Sequence, residues 1–436
     1  MEKIVIAAKR ALGLRTYPVQ TDECATPTPE SLQGLPFELK VAVLKSLPGI
    51  MALKALVLAS KEYFIVYRQA QQLILSSILQ HELRPAILCE AISVHDARSF
   101  PPKDKEDTVR FLKEYKARRS APLVIESVDL PILVSMSKMQ YLVETAAERY
   151  AASIITTSPR TGQHDDSPRP LSKNEKRRLY RAFYRIELFN LLFTQFNRCN
   201  EQTQGRLQAH PLFYYANEMA TIFLGLFSPW QVEEVACIRN WIVEYYARAL
   251  TCRKEEIDEL HYQHTGFKLE PWSIIKYRRA EFDQSDPHAL YIWEPCETLV
   301  PHKNHDEAAE RLLSLGLYFF HKANRKVHID SHVEIDVHPD LGVEQEFLTD
   351  TLSEYREQQG VARTLETRFT SNESGPSAGW DWCRTIRENR AHHHWHVEEL
   401  RDIGYVMWDH ERLLGWEILD MDPDDLASDL EERRQP

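Results

Sequence analysis

From Leu35 to Leu47, apolar side chains return every four residues at Leu35, Leu39, Val43 and Leu47, a spacing that an α-helix gathers onto one face. Pro36 suits the first turn of such a helix, where its missing N–H costs no hydrogen bond. Pro48-Gly49 then stops it. Leu53 and Leu56 begin a second helix, and Tyr63, Phe64, Tyr67, Ile74 and Ile78 fit a third. Three short helices within about 45 residues bury too little apolar surface to stand alone, so they are expected to lean on the rest of the chain or on a partner.

The remainder of the chain carries the same helical signals. Its 436 residues hold only 14 glycines, against an average near 7%, while Leu, Ala, Glu and Arg are plentiful. Ile132, Met136, Met139, Val143, Ala147 and Tyr150 form one stripe at helical spacing. Ser172 and Glu175 make a capping-box pattern ahead of Leu179, Phe183, Ile186, Phe193 and Phe196, a helix apolar on several sides and expected in the core. Ser228-Pro229-Trp230-Gln231 opens another, followed by Val235, Ile238, Ile242, Tyr245 and Ala249. No period of about 20 to 50 residues repeats, which argues against solenoid and propeller arrays.

The expected fold is therefore mainly α: an N-terminal three-helix module and a large irregular all-α domain, with at most a small β element near 326–338. Residues 1–32, which include Thr26-Pro27-Thr28-Pro29, read as a loose lead-in. Residues 33–80 form the module and 81–420 the helical domain. Within that domain, 156–170 is a polar connector with two Ser-Pro steps, Ser158-Pro159 and Ser167-Pro168, expected exposed and mobile. The acidic tail 421–436 is expected to fray.

Charge and cysteine usage narrow the functional class. A formal net charge of -12 repels phosphate backbones, so nucleic acid is not an expected partner. The densest basic cluster, Lys173, Lys176, Arg177, Arg178 and Arg181, reads as the solvated face of a helix. Cys24, Cys89, Cys199, Cys237, Cys252, Cys296 and Cys383 are scattered singly, as reduced thiols are. Lys9 and Arg10 interrupt the apolar stretch Ile4 to Ala8, and no apolar run reaches about 18 residues, so neither a secretory leader nor a membrane span is expected. A cytoplasmic or nuclear location is the expectation.

The N-terminal segment resembles an F-box, and in particular the F-box-like segments near the N-termini of many fungal proteins. Leu35-Pro36 with Glu38-Leu39, the Val43-Leu44 pair, the Leu47-Pro48 break, and Leu53, Leu56, Leu58 and Ser60 carry the resemblance, over about a tenth of the chain. The acidic residue that commonly opens the second helix is Ala52 here, and Tyr63 is the nearest aromatic where a tryptophan is usual. The resemblance implies that Leu35, Pro36, Leu39, Val43, Leu44, Leu47, Leu53 and Leu56 contact the Skp adaptor subunit of a cullin ubiquitin ligase, or support that contact surface. Glu175 to Phe193 and Gly404-Tyr405-Val406-Met407-Trp408-Asp409 are similar to the helical regions that follow such fungal segments, which bring no assigned activity.

Two polar patterns could carry chemistry. In Lys326 to His338, the apolar residues Val327, Ile329, Val333, Ile335 and Val337 alternate with His328, Asp330, His332, Glu334, Asp336 and His338. An extended strand would set those six on one face, about 6.5 to 7 Å apart, close enough for two neighbours to share a cation. A charged edge that discourages sheet aggregation is the preferred reading. His392 and His396 lie four apart on a helix with Glu399 nearby, a spacing that can hold zinc. His393, however, stands where a zincin needs its general-base Glu. No G-x-S-x-G elbow, phosphate loop or dinucleotide fingerprint is present, and no catalytic residue, metal site or cofactor is expected. Trp380, Trp382, Trp395, Trp408 and Trp416 crowd the C-terminal part and read as packing residues.

The sequence thus favours a non-enzymatic adaptor that docks on Skp and recruits an unknown protein substrate through its helical domain. A ubiquitin-independent helical interaction module is the alternative. A metal-dependent enzyme built on His328, Asp330, His332, His392 and His396 ranks last.

Overall fold

A computed structural model describes residues 34–120, 125, 128–194, 214–265, 309–310, 312–326, 348–361, 375–388 and 397–433. The N-terminal segment holds three short helices, α1 (Phe37–Lys45), α2 (Ile50–Ala59) and α3 (Lys61–Gln69); the third stops at Ala70, so Ile74 and Ile78, expected on it, lie on the helix that follows. Longer helices follow: α4 (Gln71–Ser99), α5 (Lys105–Ser120), α6 (Leu130–Ile155) and α7 (Lys173–Phe193). After them come α8 (Ala216–Ile222), a 3-10 turn (Leu224–Leu226), α9 (Pro229–Thr265), α10 (Gly316–Lys326) and α11 (Leu348–Val361). The last four are α12 (Ala378–Glu388), α13 (Val397–Asp402), α14 (His410–Gly415) and α15 (Pro423–Glu432). Among the described residues there is no strand beyond an isolated bridge between Thr157 and His164, so the fold is mainly α. Residues 1–33 and 327–338 lie outside the described residues.

Helix α7 is the axis of the molecule. Its capping box forms as the sequence predicts: the Ser172 hydroxyl accepts from the Glu175 amide at 3.1 Å, and the Glu175 carboxylate accepts from the Ser172 amide at 2.8 Å. From Arg178 to Phe193 every side chain is buried. Such a helix needs neighbours on all sides, and α4, α6, α9 and α10 supply them. Phe183, Phe189 and Phe193 interlock edge-on or tilted with Trp241, Phe223 and Tyr214, geometries that the aromatic quadrupole favours.

Because α7 runs through the core, its basic residues do not form one solvated face. Lys173 and Lys176 are exposed, but Arg178 and Arg181 are buried. Arg181 holds the Glu234 carboxylate with two donors, and Arg178 donates to Asp409 at 2.8 Å and to the Met407 carbonyl at 3.1 Å. Arg185, one turn further, donates to Glu90 at 3.0 Å and to Gln231 at 2.9 Å while lying 3.9 Å over the Phe227 ring. A guanidinium in this setting is tolerated only because its charge and donors are met.

The acidic tail does not fray over the residues described. Asp422 caps α15 by accepting from the Asp424 amide at 3.0 Å, and Pro423 takes the first helical position. Leu426 and Ala427 are fully buried, and Leu430 packs beside them. Three apolar residues at helical spacing are enough to seat an otherwise acidic segment against α12 and α13. Connector 156–170 is exposed as expected but tied to this end of the chain. Arg433 donates to the Pro159 carbonyl at 2.7 Å, Arg160 pairs with Glu417, and Arg412 donates to the carbonyls of Arg169 and Pro170. Trp408 is fully buried with its ring N–H on the Ile403 carbonyl, Trp382 reaches the Met421 carbonyl, and Trp395 lies outside the described residues.

Candidate functional site

Local chemistry builds the N-terminal module. The Pro36 carbonyl accepts from the Lys40 amide at 3.0 Å and starts α1, which ends where the Ser46 amide reaches back to Ala42 and Val43. Ser60 closes α2 and opens α3, its hydroxyl accepting from the Tyr63 amide and donating to Glu62 at 3.0 Å. Glu62, at the start of α3, has its carboxyl held below the usual carboxylate range by backbone hydrogen bonding and by Ser60.

The two faces of the module differ. Val41, Leu44, Ile50, Leu53, Tyr63 and Val66 are buried, with α1 packed on α3 and α4, and α2 on α3 and α6. The stripe at steps of four points elsewhere: Leu39 is 51% exposed, while Leu35, Val43 and Leu47 are half-buried and Pro36 is exposed. Leu56 is half-buried as well. Of the eight residues singled out by sequence, Leu44 and Leu53 therefore belong to the supporting interior, and the other six reach solvent in part or in full.

Further apolar surface lies here, and of it only Leu58 figures in the sequence pattern. Phe37 on α1, Leu58 on α2, Ile65 on α3 and Leu73 on α4 are all exposed, so each of the first four helices presents at least one large apolar side chain to water. Elsewhere among the described residues Phe100, Tyr215, Tyr262, Tyr318 and Leu414 are exposed, spread over more than three hundred positions. Single exposed apolar residues need no explanation, whereas a concentration marks a place where something else can bind. Sequence periodicity misses Ile65 and Leu73 because they flank the buried Val66 and Ile74 and read as part of the same apolar run.

The module is fastened to the body rather than tethered by a linker. Helix α4 continues without a break through residue 80, where the module was expected to end. Lys54 of α2 lies 3.8 Å over the Tyr141 ring of α6, and the Met51 amide donates to Glu144 of α6 at 3.2 Å.

Among the described residues no group of three or more His, Cys, Asp or Glu side chains could hold a metal ion, and no helix is long and apolar enough to cross a membrane. His328, Asp330, His332, Glu334, Asp336 and His338, and His392 with His396, lie outside the described residues. Burial pushes the Cys89 thiol up to about 12 and raises that of Cys237, the reverse of what a nucleophile needs. Comparison of the chain with protein-family models, with curated proteins and with solved structures gives no match.

Proposed function

We propose that the chain is a non-enzymatic adaptor whose N-terminal module docks on the Skp subunit of a cullin ubiquitin ligase, while the helical body recruits a protein substrate. One observation carries the reading: apolar side chains are exposed on every helix of a module that is otherwise well packed. Phe37, Leu39, Leu58, Ile65 and Leu73 stand outward over an interior of Leu44, Leu53 and Tyr63. An adaptor needs such a surface on a rigid support, because its contribution is to hold substrate near chemistry performed elsewhere.

A purified Skp-type adaptor provides the test. Wild-type protein is expected to retain it in a pull-down, and a Leu35→Asp, Leu39→Asp double variant with unchanged helical content is expected to lose it. Absence of binding by the wild type sinks the reading.

A second reading has its own support in the unbroken passage of α4 from module to body. A module built into the body in this way suits a helical interaction protein independent of ubiquitin. In that case the adaptor leaves the wild type unbound, while substitution of the exposed residues still removes binding to the chain's own protein partner.

A further inference from the structure

Helices α2 and α10 both pack on α6, and Tyr141 of α6 touches both. The Lys54 ammonium of α2 lies 3.8 Å over the Tyr141 ring, and the His321 ring of α10 meets it edge-on with 5.7 Å between centroids. Two turns further along α6, Arg149 Nη1 donates to Asn324 of α10, at 2.5 Å to Oδ1 and 3.4 Å to the carbonyl. Tyr141, Thr145 and Arg149 follow at steps of four and so share one face of α6. Lys54, His321 and Arg149 are thereby gathered along one seam. Lys54 and His321 are half-buried and Arg149 is exposed, which leaves the seam open to solvent.

The charges brought to this seam are of one sign. Lys54 is the sole ionisable side chain of α2, and α10 holds His321, Lys322, Arg325 and Lys326 but no carboxylate. On α6, Glu144 accepts from the Met51 amide, and Glu148 acts on Glu144 and on Tyr180 of α7. Among the described residues neither Lys54 nor Arg149 pairs with a carboxylate. Asn324 Nδ2 is a further donor, buried with no hydrogen-bond partner. An acceptor with negative charge is what this seam lacks. The imidazole registers the same imbalance: burial, then Arg325, Arg149 and Lys54, push His321 down to about 4, so it is neutral near pH 7.

We propose that the seam between α2, α6 and α10 binds a compact dianion of the phosphate class, with Lys54, Arg149 and His321 as its donors. Two fixed positive charges from different helices, with an imidazole beside them, suit a tetrahedral group that accepts in several directions. A carboxylate is planar, carries one charge and is matched by a single guanidinium. The formal net charge of -12 repels an extended polyanion beyond the seam, which favours a small phosphate or phosphate ester over nucleic acid. Because Lys54 belongs to the N-terminal module and Arg149 and His321 to the body, the bound anion ties one to the other. None of the eight residues assigned to the adaptor contact takes part, so the site does not depend on that reading.

Calorimetric titration of the full chain with inorganic phosphate and, in parallel, glycerol phosphate tests the site, at fixed ionic strength and about pH 8, where both are dianions. The wild type is expected to bind at least one of them, and the tighter of the two tells free ion from ester. Lys54→Gln and Arg149→Gln, with unchanged helical content, are each expected to weaken binding about tenfold or more. Lys173→Gln, which removes an exposed cation of α7, is expected to bind as the wild type does. Proton NMR of the histidine rings supplies a readout that a merely structural role would not move, with the His321 signal identified by its loss in His321→Gln. Sulfate, a tetrahedral dianion that keeps its charge in acid, is expected at saturation to raise the His321 midpoint from about 4 by about one unit or more. Absence of binding by the wild type overturns the proposal, as does binding unchanged in both variants. An equal loss in Lys173→Gln, or a His321 midpoint indifferent to sulfate, overturns it too.

Discussion

Arg412 and Glu175, 237 residues apart in sequence, are joined by two hydrogen bonds of 2.8 and 2.9 Å between guanidinium and carboxylate. The same carboxylate caps α7 through the Ser172 amide and accepts from the Asp409 amide at 3.1 Å. One acidic side chain thus starts the central helix and anchors the segment that leads into α14. Burial works against its charge, yet the hydrogen bonds from Arg412, Ser172 and Asp409 hold its carboxyl below the usual range. Asp409 is lowered as well, against burial, by Ser172 and Arg178.

Arg412→Ala is expected to lose about 3 to 5 kcal/mol, because it strands a buried carboxylate rather than removing a pair. Urea unfolding measures this. Depressed carboxyls give a stabilisation that is complete above their ordinary range near 4 and lost as pH falls through the lowered values. Acid titration should therefore loosen the C-terminal segment of the wild type, monitored by the buried Trp408. In Arg412→Ala the same transition should move to higher pH. An identical acid transition in the two proteins would remove Glu175 from this role.

A second pair lies deeper. Arg185 and Glu90 are both fully buried, and the Tyr115 hydroxyl donates to the other oxygen of the same carboxylate. Arg185→Met is expected to cost about 3 to 5 kcal/mol, since the buried Glu90 carboxyl then loses its charged partner and keeps the Tyr115 hydroxyl alone. Adding Glu90→Gln keeps an acceptor for Tyr115 and removes the charge, and should recover at least about 1 kcal/mol of that loss. A double-mutant cycle in urea decides. Additive losses would mean that the two side chains do not share a charge balance.

Much of this arrangement is legible locally and little of it globally. Ser172-x-x-Glu175 announces a helix start because both partners lie within one turn, and the stripe Met136, Met139, Val143 and Ala147 announces a buried face because helical period is a local property. Nothing local says that Arg181 will meet Glu234 or that Glu175 will meet Arg412. A guanidinium reads as solvated until the neighbouring helix is in place, which is why part of the basic cluster on α7 reads as surface. The tail misleads for a related reason: its charges outnumber Leu426, Ala427 and Leu430, yet those three decide where it packs. Gly49 carries no signal beyond a helix break, although it is what admits Glu82 and Glu144 to the start of α2.

Gly404 illustrates a constraint of shape. Its φ of +60° is in the left-handed region, and a Cβ there would lie 2.1 Å from the Tyr150 hydroxyl oxygen. That hydroxyl is buried and has no hydrogen-bond partner. Gly404→Ala is expected to destabilise by about 2 to 4 kcal/mol, combining backbone strain with overpacking. Tyr150→Phe alone should change stability by less than about 1 kcal/mol, since no hydrogen bond is lost. Thermal unfolding of the combined variant should show a partial rescue relative to Gly404→Ala. A combined variant no more stable than Gly404→Ala would place the strain in the backbone alone.

The two faces of α1 yield the last prediction. Leu39 is exposed and Leu44, on the same helix, is fully buried beneath it. Leu44→Ala should lose about 2 to 5 kcal/mol through lost burial and an unfilled cavity. Leu39→Asp should stay within about 0.5 kcal/mol of the wild type, as a surface change does. Urea unfolding of both variants, read alongside the pull-down, separates folding from docking. A Leu39→Asp protein of normal stability that no longer holds the adaptor assigns Leu39 to the contact. If Leu39→Asp unfolds as readily as Leu44→Ala, the stripe at Leu35, Leu39, Val43 and Leu47 serves the chain's own packing, and the docking surface must be sought at Leu58, Ile65 and Leu73.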